Sequence, residues 1–148
     1  MAFVLIFDGN ETHALRASDA LSAAGHACGW VSDTEQAARV LHRRAPDLIL
    51  LDQAVPGADG GTLPEWLRQT AGADDLPIIL LTSSSFVACI GAEIGGVIDE
   101  IRKPFDPSFL VWRINHALES HRRNRLSLDH GLLFAARASS EPRLRSIA

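Results

Sequence analysis

The hydrophobic positions of the chain fall into short apolar runs that alternate with segments of helical period. The runs are typical of strands buried on both faces, because they are continuously apolar rather than alternating. Right-handed crossovers between such strands predict a doubly wound α/β fold with one parallel sheet. The predicted strands cover residues 2–7, 27–31, 48–51, 77–81 and 97–101.

Each apolar run is followed by a segment with core-facing positions every three or four residues, which predicts a helix. Ser32 with Glu35 predicts a capping box at the start of the second helix. Asp106 followed by Pro107 predicts the start of the last one. The predicted helices lie over residues 12–24, around 37–41, around 63–70, over about 86–94, and from 107 to about 120.

Length and composition then limit the classes of protein to consider. With 148 residues, 47% of them hydrophobic, the chain is expected to form about one ordinary domain. No apolar run is long enough to cross a bilayer, and the apolar start lacks a basic segment before it, so a cytoplasmic protein without membrane association is expected. Cys28 and Cys89 have no metal-ligand spacing.

The predicted strands end in residues whose side chains can bind ions or react. Ligands of doubly wound sheets bind beyond the carboxyl ends of the strands, where this sequence has Asp8, Asp52, Thr82 and Lys103. Two carboxylates suit a hard cation such as Mg²⁺, and one of them could attack phosphorus to give an acyl phosphate. A lysine and a hydroxyl would then bind the phosphoryl oxygens. The alternative is that these side chains only cap helices and loops.

The order of the motifs resembles the receiver domain of bacterial two-component response regulators. The resemblance covers residues 3 to about 120. The motifs are Val4-Leu5-Ile6-Phe7-Asp8, Leu48-Ile49-Leu50-Leu51-Asp52, Val55-Pro56-Gly57-Ala58-Asp59-Gly60, Leu80-Leu81-Thr82-Ser83 and Lys103-Pro104-Phe105.

This resemblance implies a flavodoxin-like sheet in the order 2-1-3-4-5 and a non-enzymatic signalling role. It implies that Asp52 is the phosphoryl acceptor, that Asp8 and Asp52 bind the metal, and that Thr82 and Lys103 contact the phosphoryl group. A histidine kinase is the implied donor. One expected function is therefore a single-domain response regulator controlled by phosphorylation.

Two positions depart from the family pattern. Gly9 stands where a second acid usually follows the first, so one carboxylate ligand is missing and Mg²⁺ binding should weaken. Glu100 stands where the family places its switch aromatic, three residues before Lys103. Since burying an unpaired carboxylate costs several kcal/mol, Glu100 should not enter an apolar cavity as the ring does.

The charge of the chain divides near residue 120. Residues 1–120 carry 16 acids and 8 bases, a balance of −8, whereas residues 121–148 carry 6 arginines and 2 acids, a balance of +4. Arginine binds phosphate and guanine edges as a fork, so the basic extension predicts a nucleotide with phosphates and guanines. The candidate nucleotide-binding residues are Arg122, Arg125, Arg137, Ser140, Glu141, Arg143 and Arg145. A frayed helix end or a linker to a missing output domain is the alternative.

A receiver with unusual switch residues and an arginine-rich extension is similar to the Cle group of CheY-like proteins. That resemblance implies that cyclic di-GMP sets the output and that the partner is a flagellar motor switch component. Phe109 and Trp112 lie off the core stripe of the last helix and are a candidate partner surface. Binding of nucleic acid by the basic extension is disfavoured, because the acidic body should repel a duplex.

Overall fold

The structure, a computed structural model, describes residues 1–58, 62–83 and 97–147, with side chains described as far as residue 127. Its sheet has five parallel strands in the order β2-β1-β3-β4-β5, which confirms the predicted doubly wound, flavodoxin-like fold. The strands are β1 (Phe3–Phe7), β2 (Ala27–Val31), β3 (Leu48–Asp52), β4 (Ile78–Thr82) and β5 (Val97–Arg102).

Helices cover both faces of the sheet. Those within the described residues are α1 (Glu11–Ala23), α2 (Thr34–Arg43), α3 (Thr62–Ala71) and α4 (Pro107–Ile147). Alternate residues of the central strands point to opposite faces, and both sets are buried. One set packs on α2 and α3, and the other packs on α1 and α4. This explains why the central strands read as continuous apolar runs.

The start of α2 differs by one residue from the prediction. Asp33, not Ser32, is the N-cap residue, and its carboxylate accepts a hydrogen bond from the backbone N–H of Gln36. The Gln36 side chain in turn accepts from the backbone N–H and hydroxyl of Ser32. Glu35 therefore takes no part in the cap, and it pairs instead with Arg39 one turn later.

The last helix begins as predicted and continues further than predicted. The carboxylate of Asp106 accepts from the backbone N–H groups of Ser108 and Phe109. The helix continues through residue 120 to Ile147. Residues 121–127 contain neither proline nor glycine, and leucine and arginine favour helix. The predicted helix over residues 86–94 lies outside the described residues.

Among the described residues, no helix has the combination of length and apolar composition required to cross a bilayer. Phe109 and Trp112 are 44% and 59% exposed, as their position off the core stripe predicts.

Candidate functional site

The four strand-end residues lie at one edge of the sheet. Asp8 follows β1 and Asp52 ends β3, and these strands are neighbours. Thr82 ends β4 and is paired in register with Arg102 at the end of β5, directly before Lys103. The parallel arrangement brings all four to the carboxyl edge, as the sequence predicts.

The ammonium of Lys103 lies between the two carboxylates. Its Nζ is 2.6 Å from Oδ2 of Asp8 and 3.0 Å from Oδ1 of Asp52. The side chains of Lys103, Asp8 and Asp52 are 13%, 1% and 12% exposed, so water screens these contacts little. Two carboxylates and one ammonium leave the cluster with a formal charge of −1.

Backbone N–H groups hold the second oxygen of each carboxylate. Oδ1 of Asp8 accepts from the N–H of Asn10 at 2.9 Å, and Oδ2 of Asp52 accepts from the N–H of Ala54 at 3.3 Å. Each carboxylate therefore turns one oxygen to the loop and the other to Lys103. The loops after β1 and β3 fix the orientation of the acids before any ligand arrives.

Thr82 supplies a hydroxyl without a partner. The residue is 1% exposed, and its Oγ1 has no hydrogen-bond partner among the described residues. Its backbone carbonyl accepts from the N–H of Lys103 at 2.7 Å, which ties the two residues together. An unsatisfied buried hydroxyl is costly, so a hydrogen-bond partner for Oγ1 would stabilise this edge of the sheet.

A cleft of ≈ 450 Å³ opens above the cluster. Its lining includes both carboxylates, Lys103, Gln53 and Ser83. Gln53 connects the loops after β3 and β4, since its Oε1 accepts from the N–H of Ser83 at 3.1 Å. The cleft is large enough to admit a phosphoryl group and its donor.

The donor set fits Mg²⁺ with few protein ligands. Asp8 and Asp52 offer hard carboxylate oxygens, and Mg²⁺ is commonly held by one or two carboxylates plus water and phosphate. Among the described residues, no three His, Cys, Asp or Glu side chains are grouped closely enough to hold a metal. Gly9 leaves space, since a Cβ built there meets nothing within 4 Å. Its lack of a carboxylate is therefore a chemical difference and not a steric one.

Glu100 carries a buried oxygen at the position of the expected switch aromatic. Its Oε2 has no hydrogen-bond partner among the described residues. The nearby guanidinium of Arg113 pairs with the carboxylate of Asp99 and reaches only the backbone carbonyl of Glu100, at 3.3 Å. Within the described part of the chain, Oε2 of this half-buried carboxylate therefore has no cation or hydrogen-bond donor beside it.

Two of the predicted nucleotide-binding arginines, Arg122 and Arg125, lie at the opposite edge of the sheet. Arg122 and Arg125 line a cleft of ≈ 740 Å³ at the amino edge of the sheet, beside the residues that precede β1, β3 and β4. Arg125 and His121 approach the carboxylate of Asp75 at 3.6 and 3.7 Å. The side chains of Arg137, Ser140, Glu141, Arg143 and Arg145 lie outside the described residues.

One neighbour of Lys103 was not among the site residues predicted from the sequence. His13, in the first turns of α1, places Nδ1 2.9 Å from Nζ of Lys103. The only available signal was its position, five residues after Asp8 and at the same edge of the sheet.

Comparisons with known proteins agree with this geometry. Residues 4–115 match the family described as the response regulator receiver domain. The phosphate regulon transcriptional regulatory protein PhoB of Pseudomonas aeruginosa is 38% identical over 117 residues, which is 78% of this chain and 51% of PhoB. The DNA-binding response regulator MtrA of Mycobacterium tuberculosis is 32% identical over 123 residues, covering 82% of this chain and 51% of MtrA.

A crystal structure of a putative response regulator from Chloroflexus aurantiacus has a TM-score of 0.70 and 32% identity, covering 80% of this chain and 98% of that one. The chain spans about half the length of the curated relatives it matches. The family match covers most of the chain, and it includes all of the five strands except Phe3 and all four strand-end residues. The chain therefore belongs to the response regulator receiver domain family.

Proposed function

We propose that the chain is a receiver that accepts a phosphoryl group on Asp52 from a histidine kinase. The observation that carries this proposal is the position of Lys103, whose ammonium contacts both Asp8 and Asp52 in a largely buried cluster. A cation held there can pair with phosphoryl oxygens as they arrive. From the sequence alone, cyclic di-GMP binding is the first hypothesis and phosphorylation the alternative. We place phosphoryl acceptance first because Asp8, Asp52 and Lys103 form one charged cluster at the carboxyl edge.

In the proposed step, a carboxylate oxygen of Asp52 attacks the phosphorus of a phosphohistidine. An O–P bond forms, the P–N bond breaks, and the leaving imidazole retains the electron pair and takes up a proton. Lys103 and the hydroxyl of Thr82 bind the oxygens of the transferred group. Mg²⁺, when held by Asp8 and Asp52, would neutralise charge on the same oxygens.

Incubation with phosphoramidate and Mg²⁺, followed by intact mass measurement, tests the proposal. The protein should gain the mass of one phosphoryl group, and Asp52→Asn should gain none. Asp75→Asn removes an exposed acid at the opposite edge and should behave as the parent does. Equal mass gain in Asp52→Asn, or no gain in the parent protein, would refute phosphoryl acceptance at Asp52.

A second candidate function is binding of cyclic di-GMP by residues 121–148, acting on a partner such as a flagellar motor switch component. It is favoured by the position of Arg122 and Arg125 beside the amino-edge cleft. The strands are five or six residues long, so this cleft lies roughly 15–20 Å from Asp52. A nucleotide there would not compete with a phosphoryl group. The division into a receiver (residues 1–120) and an extension (121–148) is part of this proposal.

Calorimetric titration with cyclic di-GMP tests the second candidate. The triple change of Arg137, Arg143 and Arg145 to alanine should abolish binding, with each lost guanine fork costing about 1–3 kcal/mol. A matched triple change of Arg16, Arg39 and Arg102 to alanine removes the same charge from the body and should retain binding. Equal affinity of the two triple variants would exclude Arg137, Arg143 and Arg145 as nucleotide ligands, and no heat with the parent protein would refute the second candidate as a whole.

A further inference from the structure

We infer that His13 is a positioning residue for Lys103. This inference rests on the proposed function, because it concerns the lysine that would bind the phosphoryl group. An ammonium has three N–H donors, and within the described residues this one donates to Oδ2 of Asp8 at 2.6 Å and to Nδ1 of His13 at 2.9 Å. It also forms an ion pair with Oδ1 of Asp52 at 3.0 Å.

The contact defines the tautomer of His13. Because Lys103 has no acceptor, Nδ1 must carry the lone pair, and the proton of the neutral ring is on Nε2. The backbone N–H of His13 donates to the side chain of Asn10, the N-cap residue of α1, at 3.1 Å. This bond fixes the first turn of the helix and so places the ring toward Lys103.

The glycine at position 9 explains why the uncharged acceptor of His13 matters for Lys103. The resemblance to receivers places a second carboxylate there, and this chain has glycine. His13 supplies a second hydrogen-bond acceptor to Lys103, beside Asp8, without adding negative charge, so the cluster stays at a formal −1. A third contact restricts rotation of a long side chain that would otherwise sample several rotamers. Lys103 is thereby oriented toward Asp52 before the phosphoryl group arrives.

A single-lysine chain makes this contact directly observable. Lys103 is the sole lysine of the sequence, so lysine labelled with ¹³C at Cε and ¹⁵N at Nζ gives one side-chain signal. Three variants are compared with the parent: His13→Leu, which lacks an acceptor; His13→Asn, whose Oδ1 can take the place of Nδ1; and His42→Leu, which removes an exposed imidazole from α2.

The Lys103 signal should move in His13→Leu and stay near its parent position in His13→Asn and His42→Leu. Phosphorylation of Asp52 by phosphoramidate should slow about two- to tenfold in His13→Leu, the range expected for one lost hydrogen bond, and recover in His13→Asn. The asparagine variant, which preserves a polar acceptor, also keeps the test informative if His13→Leu fails to fold.

The two proposals fail in different ways. If the parent gains no phosphoryl mass but the Lys103 signal still moves in His13→Leu alone, phosphoryl acceptance is refuted and the positioning contact stands. If the parent is phosphorylated at Asp52 while His13→Leu and His13→Asn leave both the signal and the rate unchanged, the inference about His13 is overturned.

Discussion

Replacing Lys103 by methionine should destabilise the protein because it leaves two carboxylates facing each other in a nearly buried site. At an effective dielectric constant of about 20, opposite unit charges at the observed 2.6 and 3.0 Å attract by about 6 kcal/mol per pair. Desolvation of the three groups offsets much of this attraction. Removing one partner of a buried pair typically costs about 3–5 kcal/mol, which is the expected loss for Lys103→Met.

A double variant separates the effect of the lost charge from the effect of the lost side-chain packing. Adding Asp8→Asn to Lys103→Met keeps the acceptor for the Asn10 N–H and removes one negative charge. The double variant should recover about half of the stability lost in Lys103→Met. Asp8→Asn alone should cost about 1–3 kcal/mol, because its amide would turn N–H donors toward the ammonium of Lys103. The double variant should therefore be more stable than the sum of the two single changes implies.

Urea unfolding followed by tryptophan fluorescence measures these free energies. Arg102→Met removes an exposed cation next to Lys103 and should stay within about 0.5 kcal/mol of the parent. A loss below 1 kcal/mol in Lys103→Met, or no recovery on adding Asp8→Asn, would refute the view that the lysine compensates the two acids.

Three further predictions concern Gly9 and Glu100, the two positions that depart from the family pattern, and the thiol of Cys28. Gly9→Asp should fold, because a Cβ at this position meets nothing within 4 Å, and it should raise the affinity for Mg²⁺ about tenfold. The titration is followed by the fluorescence of Trp30, whose Nε1 donates to the carbonyl of Asp8. Unchanged affinity would contradict the argument that the missing carboxylate weakens Mg²⁺ binding. Glu100→Leu should raise the free energy of unfolding by about 1 kcal/mol, since Oε2 is buried without a partner among the described residues, and a loss of stability would show that the carboxylate is satisfied. Burial raises the pKa of the Cys28 thiol despite hydrogen bonds to Ser22 and Ser18, so in a Cys89→Ala background a thiol reagent should label Cys28 at higher pH in the folded protein than in urea. Because the pKa is higher in the folded state, the stabilisation that the thiol brings is complete below the usual thiol pKa. It is lost as the pH rises through the pKa of the folded state.

The strand-end residues were predictable because they depend on a rule about parallel sheets and not on distant contacts. Once the apolar runs are read as parallel strands, Asp8, Asp52, Thr82 and Lys103 must share the carboxyl edge. The position of Asp106 before Pro107 was likewise enough to predict the start of α4, since capping is a local interaction.

Contacts between distant positions were not predictable in the same way. His13 and Lys103 are 90 residues apart, and whether they touch depends on side-chain rotamers at the ends of two elements. The cap at Asp33 was missed because Ser32 is an equally good capping residue by type, and only the backbone conformation distinguishes them. The length of α4 was missed because charge composition changes near residue 120 while helix propensity does not.

Two residues of the proposed nucleotide site, Arg122 and Arg125, lie at the opposite edge of the sheet from Asp52. Asp52 is at the carboxyl edge and these two arginines line the cleft at the amino edge, so a ligand held by them there would not touch Asp52 directly. Any influence of one on the other must pass through the fold, where α4 packs against the sheet between them. Such coupling is reciprocal: a nucleotide whose affinity changes by a given factor on phosphorylation must shift the phosphorylation equilibrium by the same factor. Two sites that bind with equal strength whether or not the other is occupied would instead be independent inputs on a shared scaffold.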